Sequence, residues 1–448
     1  MRLDPAWRAT VVACACLAAG GLGATALGAG PAAKEPARAR LPIALGSHGG
    51  FVVAGKPTFL IGLSNPPPLG GRSPAGVPGP VEVVRTGVNL LRVGPVWTGW
   101  THRELVRVQA WDREAVRLGV HTWVRLNAFA ATQPRWRGDA RLGAIVRALT
   151  RNRFAAGIGL WQGADEPWSR GIPARSLAFV YCRLTSRGDR RSCAGEPPLD
   201  QRLLVTVLAP SGSRADLAPY GRVTDALGVD VYPVTLGSAE APRLHEVGIW
   251  TRRIAAISRD HSVETTLQIC PMHAYDEHTG AYVLPSAYQE RYMVYDAIIN
   301  GARGVSFFGG GNPHCWDRSD RRRRWNWSFW NRALDPLIEQ IGPRSALGPA
   351  LADAASNLVL RTSVRGTEAI SRVVVTRSGT QLWVIAARSN GPLVRVAISG
   401  LPGSARSAAV YGERRTVRVS RGTLRDTFRQ WQVHVYRIRL GGTRRGEW

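Results

Sequence analysis

The sequence predicts an α/β chain: a (β/α)8 TIM barrel followed by a small antiparallel β-sandwich. Three observations carry this. Apolar runs alternate with amphipathic helical segments through residues 46–350, giving eight strand–helix pairs. The strand runs are continuously apolar, as a sheet covered on both faces requires. From about residue 356 the period changes to short strands at 8–14-residue spacing, punctuated by Gly, Asn and Ser.

In order, "GGFVVAGKPTFLIGLS" (49–64) reads as a small hairpin feeding the first barrel strand, and "PVEVVRTGV" as a short helix. "NLLRVGPVW" is the second strand. "HRELVRVQAWDREAVRLG" has apolar residues at three- and four-residue steps and reads as a helix. "HTWVRLNAF" is the third strand, "ARLGAIVRALTRNRFAAG" a helix, and "IGLWQGADEP" the fourth strand. "SLAFVYCRLTS" is a helix, "RLLVTVLAP" the fifth strand, "DALGVDVYPV" the sixth, and "PRLHEVGIWTRRIAAISRD" a helix. "VETTLQIC" is the seventh strand, followed by a long loop and the helix "SAYQERYMVYDAIINGA"; "GVSFFGGG" is the eighth and "WSFWNRALDPLIEQI" the closing helix. Six β segments follow: "NLVLRTSV", "ISRVVVTRSG", "TQLWVIAARSNG", "PLVRVAISG", "SAAVYGERRTVRVSRG" and "QWQVHVYRIRL". The rival, an open doubly wound sheet, would need a Gly-rich phosphate loop after its first strand; "LSNPPPLGGRSPAGVPGP" has neither GxGxxG nor GK[ST].

The expected organisation is a signal peptide (1–30), a Pro/Ala/Arg linker (31–45), the barrel (46–350), the sandwich (356–440) and a tail (441–448). Arg2 and Arg8 precede an apolar stretch that ends in small residues, the pattern of a secretory signal. Too little apolar chain precedes Cys14 for a lipoprotein signal. No later segment reaches the ~18 apolar residues of a membrane span. The expectation is an exported or cell-envelope monomer. Beyond the leader remain Cys182, Cys193, Cys270 and Cys315, which allow three pairings; 182–193 and 270–315 are favoured. Their spacings make no zinc site, and nothing calls for a metal or another cofactor.

The net charge is +27, carried almost wholly by Arg. Such a surface favours anionic partners, although a coding bias toward Arg, Ala and Gly accounts for much of it. The chain carries no recognised nucleic-acid module.

Function in such a barrel sits at the C-terminal strand ends. The polar residues there are Ser64 and Asn65; Arg92, leading to Trp97 and Trp100; Asn127; Asp165, Glu166 and Trp168; Asp230 and Tyr232; Gln268, with His273, Tyr275, Asp276 and Glu277 beyond it; and Asn312, His314, Trp316 and Asp317. Carboxylates, amides and aromatic rings suit a carbohydrate cleft, where hydroxyls need paired donors and acceptors and sugar faces stack on rings. Part of the complement of sixteen Trp belongs to barrel–helix packing.

The order "GKPTFLIGLS", "GVNLLRV", a strand ending "DEP", "DVYP" and "YDAIINGARGVSFF", with a C-terminal domain ending "VHVYRI", resembles the clan-A (β/α)8 glycoside hydrolases over residues 46–440. The resemblance implies a glycosidase in which Glu166 is the general acid/base and Arg92 supports the nucleophile. Two departures stand out. Asp165 replaces the usual Asn, where it is expected to contact sugar and to raise the pKa of Glu166. Strand seven ends "LQICP", without the clan's nucleophilic Glu; Glu264 lies roughly 20 Å from the mouth at ~3.3 Å per residue, near the barrel floor. Asp230 is therefore the leading second carboxylate, with Asp276, Glu277 and Asp317 as loop candidates. Arg92, Asp165, Asn127, Trp97, Trp168, Tyr232, Gln268, His273 and Trp316 are the candidate substrate-binding residues. The readings carried forward are an exported glycoside hydrolase and, as the alternative, a catalytically inactive glycan-binding barrel of the cell envelope.

Overall fold

The computed structural model describes residues 42–95, 99–131, 137–185, 187–193, 195–234, 243–258, 262–268, 275–276, 281–282, 284–376 and 379–440. Eight parallel strands close into a barrel: β1 (Leu60–Ser64), β2 (Leu90–Val93), β3 (His121–Arg125), β4 (Ile158–Asp165), β5 (Leu203–Leu208), β6 (Ala226–Val231), β7 (Ser262–Gln268) and β8 (Gly304–Phe308). Each pairs with its neighbours in sequence, and β8 returns to β1 with Gly304 opposite Leu60. All described side chains on these strands are buried or nearly so, which explains the absence of a period-2 pattern.

Residues facing the barrel axis form stacked layers. Leu60, Leu90, Leu160, Leu203 and Ala226 lie low in the barrel and pack with Ile43 and Phe51. These last two come from a three-stranded antiparallel sheet, Ile43–Leu45, Phe51–Val53 and Lys56–Thr58, which closes the barrel floor. The hairpin expected before the first barrel strand is two-thirds of this sheet. Ile43 leaves no room for a side chain at position 159, where an added Cβ would lie 2.6 Å from its Cδ1, so Gly159 belongs to the closure.

Outside the strands, the helices His102–Leu118, Arg137–Thr150, Ala174–Thr185, Glu246–Ile257 and Ala287–Ile299 bury apolar faces in one large core. The closing helix departs from its expected form. A helical turn at Trp327–Phe329 passes through a π-helical stretch, Trp330–Leu334, before α geometry resumes at Asp335–Ile341. Pro336 has no N–H to offer the carbonyl four residues back, and the ladder shifts register just before it.

The C-terminal domain is one hydrogen-bonded series of eight antiparallel strands between Arg361 and Leu440, folded over a core that includes Leu382, Val384, Val396, Ile398, Leu424, Phe428, Tyr436 and Ile438. Two strands are additional to the six segments read from sequence. "SAAVYGERRTVRVSRG" is a hairpin of two strands, Ser407–Val410 and Arg415–Ser420, and Thr423–Phe428 is a further strand. The strand Gly379–Arg388 is buried on both faces. Leu382, Val384 and Ala386 point into the domain core, while Trp383, Ile385 and Ala387 join the barrel's outer core with Val433 and Val435. Across the same junction Arg291 donates to the Val433 carbonyl at 2.9 Å, and the Tyr288 hydroxyl to that of Gln430 at 2.8 Å.

The Cys182–Cys193 disulfide is formed. Cys315 is also disulfide-bonded, and Cys270 lies outside the described residues. Among the described residues, no helix is long and apolar enough to cross a membrane.

Two outcomes follow from this packing. A chain ending at residue 350 exposes the helix face that Trp383, Ile385, Val433 and Val435 cover, so it is expected to aggregate or to lose near-UV dichroism; a soluble, thermally cooperative barrel would overturn the claim of a shared core. The second concerns Asp112, buried on the helix His102–Leu118, whose carboxylate accepts from the Thr122 hydroxyl at 2.7 Å. Burial dominates, and its pKa is pushed up from 3.8 to about 7. The folded chain holds this proton better than the unfolded chain. The contribution is therefore complete below about pH 4 and lost as pH rises toward 7. Asp112→Asn is expected to flatten the fall in unfolding free energy between pH 4 and 8, measured by urea titration.

Candidate active site

The C-terminal end of β4 organises the barrel mouth. Gln162 lies opposite Val205, Ala164 opposite Thr206 and Asp165 opposite Val207, so the register slips at Gly163. This β-bulge changes which side chains face inward. Without it, strict alternation from Gln162 would turn Ala164 to the axis and Asp165 outward to the helices. With it, Ala164 packs in the outer core and Asp165 turns inward level with Val207. A side chain at Gly163 would meet the Leu204 methyls at 2.9–3.0 Å, so the bulge is built around a glycine. The next residue, Glu166, donates its N–H to the Val207 carbonyl at 2.7 Å and then leaves the strand at φ +49°. That left-handed conformation is strained for a non-glycine residue, and it accompanies the turn at the lip of the barrel.

The inward turn gives Asp165 a partner. Arg92, on β2 and 4% exposed, donates Nη2 to Asp165 Oδ1 at 2.6 Å, Nε to Gln162 Oε1 at 2.6 Å and Nη1 to Ser64 Oγ at 3.2 Å. Gln162 donates in turn to Asp165 Oδ1 at 2.8 Å, and the Arg92 guanidinium lies 4.9 Å over the Trp123 ring. Burial opposes the charge on Asp165, but Arg92 and Arg125 outweigh it and hold the carboxyl below its usual pKa. Asp165, expected to act on its neighbour Glu166, is thus held by an arginine, and its charge acts on Asp230.

Asp230 is buried at the inner face of β6, one residue from the strand end. Burial first, then the charges of Glu166 and Asp165 and a hydrogen bond with the Glu166 carboxyl, push its pKa well above the normal carboxylate range. The Tyr232 hydroxyl donates to Asp230 Oδ2 at 3.4 Å, while Oδ1 is buried with no donor. The Glu166 side chain is 30% exposed, and Arg170 approaches it at 3.5 Å from the first turn of the loop.

The remaining candidates are placed as follows. Tyr232 stacks on Phe308 at the end of β8, with centroids 5.9 Å apart. Trp168 is 40% exposed and lies against Gly212, in the loop after β5. Asn127 begins a 3-10 turn just beyond β3, with its Oδ1 buried and without a donor. Trp316 is half-buried and donates to the Gly310 carbonyl at 3.0 Å. Gln268 ends β7 opposite Phe308. Trp97, His273 and Glu277 lie outside the described residues. Asp317 is occupied as the N-cap of the helix Arg318–Arg323, where it accepts from Ser319 and Asp320 and from the Ser328 hydroxyl; these bonds hold its pKa at about 2. Glu264 pairs with Gly304, the first residue of β8, well below the level of Gln268. Among the described residues, no cluster of His, Cys, Asp or Glu has the arrangement of a metal site.

Sequence reading missed Gln162 and Arg125. The signal was present: each is a polar residue inside an apolar strand run, as Arg92 is. Arg125 ends β3, is 2% exposed, and among the described residues bonds the Gly94 carbonyl (3.3 Å) and Asn65 Oδ1 (3.2 Å).

The pair Arg92–Asp165 yields a prediction. Removing one partner of a buried, hydrogen-bonded ion pair leaves the other uncompensated, at a cost of about 3–5 kcal/mol. Arg92→Met is expected to lose that much in denaturant unfolding, and Arg92→Met with Asp165→Asn to recover part of it. Additive losses would show that the two charges do not depend on each other.

No family model and no curated protein sequence matches the chain. Solved structures do. An α-amylase from Geobacillus thermoleovorans complexed with acarbose superposes over 86% of this chain and 99% of its own, with 11% identity and a TM-score of 0.52. A protein described as a glycoside hydrolase covers 90% and 98%, with 12% identity and a TM-score of 0.52. The GH27 β-L-arabinopyranosidase of Geobacillus stearothermophilus covers 87% and 98%, with 8% identity and a TM-score of 0.50. At such identities the likeness is one of fold: the chain has the (β/α)8 barrel and C-terminal β domain of these glycoside hydrolases.

Proposed function

We propose that the chain is an exported glycoside hydrolase that cleaves a poly- or oligosaccharide with Glu166 and Asp230. The observation that carries the reading is the placing of two carboxyl groups at strand ends of the C-terminal mouth of a closed barrel, near enough for the charge of Glu166 to act on the buried Asp230. The fold shared with carbohydrate-active barrels supports it. Export is supported by the N-terminal Arg, apolar and small-residue pattern and by the Cys182–Cys193 disulfide.

The contact between the carboxyls bears on stereochemistry. Inverting glycosidases keep their two carboxyls ~6.5–9.5 Å apart to admit a water, whereas retaining ones bring them to ~5–5.5 Å. After burial, the charge of Glu166 acts most strongly on Asp230, which favours the shorter separation, so the proposed outcome is retention. The roles follow from the environments. Asp230, buried and beside two negative charges, holds its proton more firmly than an ordinary carboxyl and is the acid. Glu166, more exposed, is the carboxylate. This revises the sequence-based assignment of the acid/base role to Glu166. In the first step the Glu166 carboxylate bonds to the anomeric carbon as the glycosidic bond breaks, and the Asp230 proton passes to the departing oxygen. In the second, Asp230 takes a proton from water as its oxygen attacks the anomeric carbon and the bond to Glu166 breaks. Arg92 and Gln162 fix Asp165, which keeps negative charge beside Asp230. Trp168 offers an exposed ring on which a sugar face stacks.

The test is a screen of poly- and oligosaccharides for new reducing ends. Glu166→Gln and Asp230→Asn are each expected to lower kcat by at least ~10³-fold with glycan binding retained, since each removes one half of a two-carboxylate mechanism. Activity is expected to fall on the alkaline side as Asp230 gives up its proton, at a pH above the ordinary carboxylate range. Full activity in Glu166→Gln overturns the reading. Glycan binding without new reducing ends in the unaltered protein favours an inactive binding barrel.

A further inference from the structure

The mouth holds two buried arginines that differ in how their donors are used. Arg92 spends all three nitrogens on Gln162, Ser64 and Asp165. Among the described residues, Arg125, beside it on β3, faces no carboxylate within ion-pair distance, and its buried Nε has no acceptor. Its two bonds, at 3.2 and 3.3 Å, reach only neutral oxygens. Burying a guanidinium so incompletely satisfied is costly unless something else completes it. Two residues on, Asn127 Oδ1 is buried without a donor. The end of β3 and the turn that follows it thus hold one unused donor and one unused acceptor, two residues apart in sequence.

The charges are unbalanced in the same direction. Arg92 and Arg125 are 4% and 2% exposed, and the ionised carboxylate that faces them both is Asp165. Burial and the nearby Arg92 work against the charge on Arg125, with Asp165 only partly compensating. One further anion at this place would restore balance, and the planar fork of a guanidinium matches a carboxylate in geometry as well as charge.

We propose that Arg125 is the specificity residue for a carboxylate on the substrate, so that the barrel mouth takes an acidic sugar, a uronic acid residue whose neighbouring hydroxyl donates to Asn127. This deepens the hydrolase reading and rests on the barrel mouth being the sugar site. It concerns a single buried side chain, and so is distinct from the general attraction of a +27 surface for polyanions.

The experiment is calorimetric binding at 150 mM and 500 mM salt. Oligomers of galacturonic, glucuronic and mannuronic acid are each paired with the carboxyl-reduced neutral oligomer. The proteins are the unaltered chain, Glu166→Gln, Arg125→Gln, Arg125→Lys and a surface control, Arg321→Gln. The expected result is that at least one uronate oligomer binds at least tenfold tighter than its neutral counterpart, at one site per chain, with the preference surviving 500 mM salt. Arg125→Gln is expected to abolish that preference while leaving the neutral oligomer within twofold; Arg125→Lys keeps part of it, and Arg321→Gln all of it. Equal affinity for a uronate oligomer and its reduced form across the set overturns the proposal, as does an undiminished preference in a folded Arg125→Gln. If Arg125→Gln does not fold, the unaltered chain and Arg125→Lys decide by the same criteria. Binding in Glu166→Gln separates this inference from the reading it rests on. A uronate preference without turnover in the unaltered chain keeps the specificity and removes the hydrolase, whereas turnover of neutral glycans without a uronate preference does the reverse.

Discussion

The buried pair of Arg92 and Asp165 is the constraint on which the mouth of this barrel depends. A guanidinium at 4% exposure on an inward-facing strand position is costly unless a carboxylate compensates it, and Arg92 has one in Asp165. β4 supplies one only because Gly163 bulges and turns Asp165 to the axis. Once Asp165 is fixed there by Arg92 and Gln162, its charge bears on Asp230, and Asp230 keeps a proton that an exposed carboxyl would release. The rest of the interior accommodates the arrangement. On β1, next to the β2 that carries Arg92, and on β8 beyond it, the interior positions include the small Gly62, Gly304 and Ser306, and a Cβ at Gly62 would lie 2.9 Å from that of Ser306. Small residues on β1 and β8 beside bulky ones on β2 and β3 let a closed barrel stay filled without overpacking.

The C-terminal domain belongs to the same economy of burial. A strand with apolar residues on both faces has to be covered twice, and Gly379–Arg388 is covered by its own domain on one side and by the helix Ala287–Ile299 on the other. The domain thereby fixes the helix that leads out of the loop after β7 and into β8. The two halves of the chain share one apolar core, so the sandwich acts as a brace for the barrel wall.

How much of this was legible in the sequence depended on whether a signal was local. Continuous apolar runs marked the barrel strands, and the polar residues at their ends made Arg92, Glu166 and Asp230 candidates at the barrel mouth. The direction in which Asp165 points was not legible, because it is set by a register slip between two strands and not by either strand alone. Thr423–Phe428 escaped notice because Asp426 interrupts its apolar face; in the fold that carboxylate is paired with Arg415 and bonded by the Tyr436 hydroxyl, partners distant in sequence. Asp317 looked like a loop carboxylate available for chemistry, yet it is taken up by a helix N-terminus and the Ser328 hydroxyl. For Asp165 and Asp426 the polar group's meaning lay in a partner on another strand; for Asp317 it lay in a helix start two and three residues on.

The coupling between Glu166 and Asp230 has a consequence for how one site could serve two opposite proton transfers. Part of what raises the Asp230 pKa is the negative charge of Glu166. If Glu166 becomes esterified to the sugar, that charge disappears while the burial of Asp230 and the fixed charge of Asp165 remain. The affinity of Asp230 for a proton then falls by the share Glu166 contributed, at the step that needs Asp230 to stay ionised until it accepts a proton from water. When water releases the sugar, the Glu166 charge returns, and the proton just taken up is held firmly again. A pair in contact can thus cycle between acid and base without any movement of the backbone, provided that the third carboxylate beside it never titrates. Arg92 ensures that by keeping Asp165 ionised.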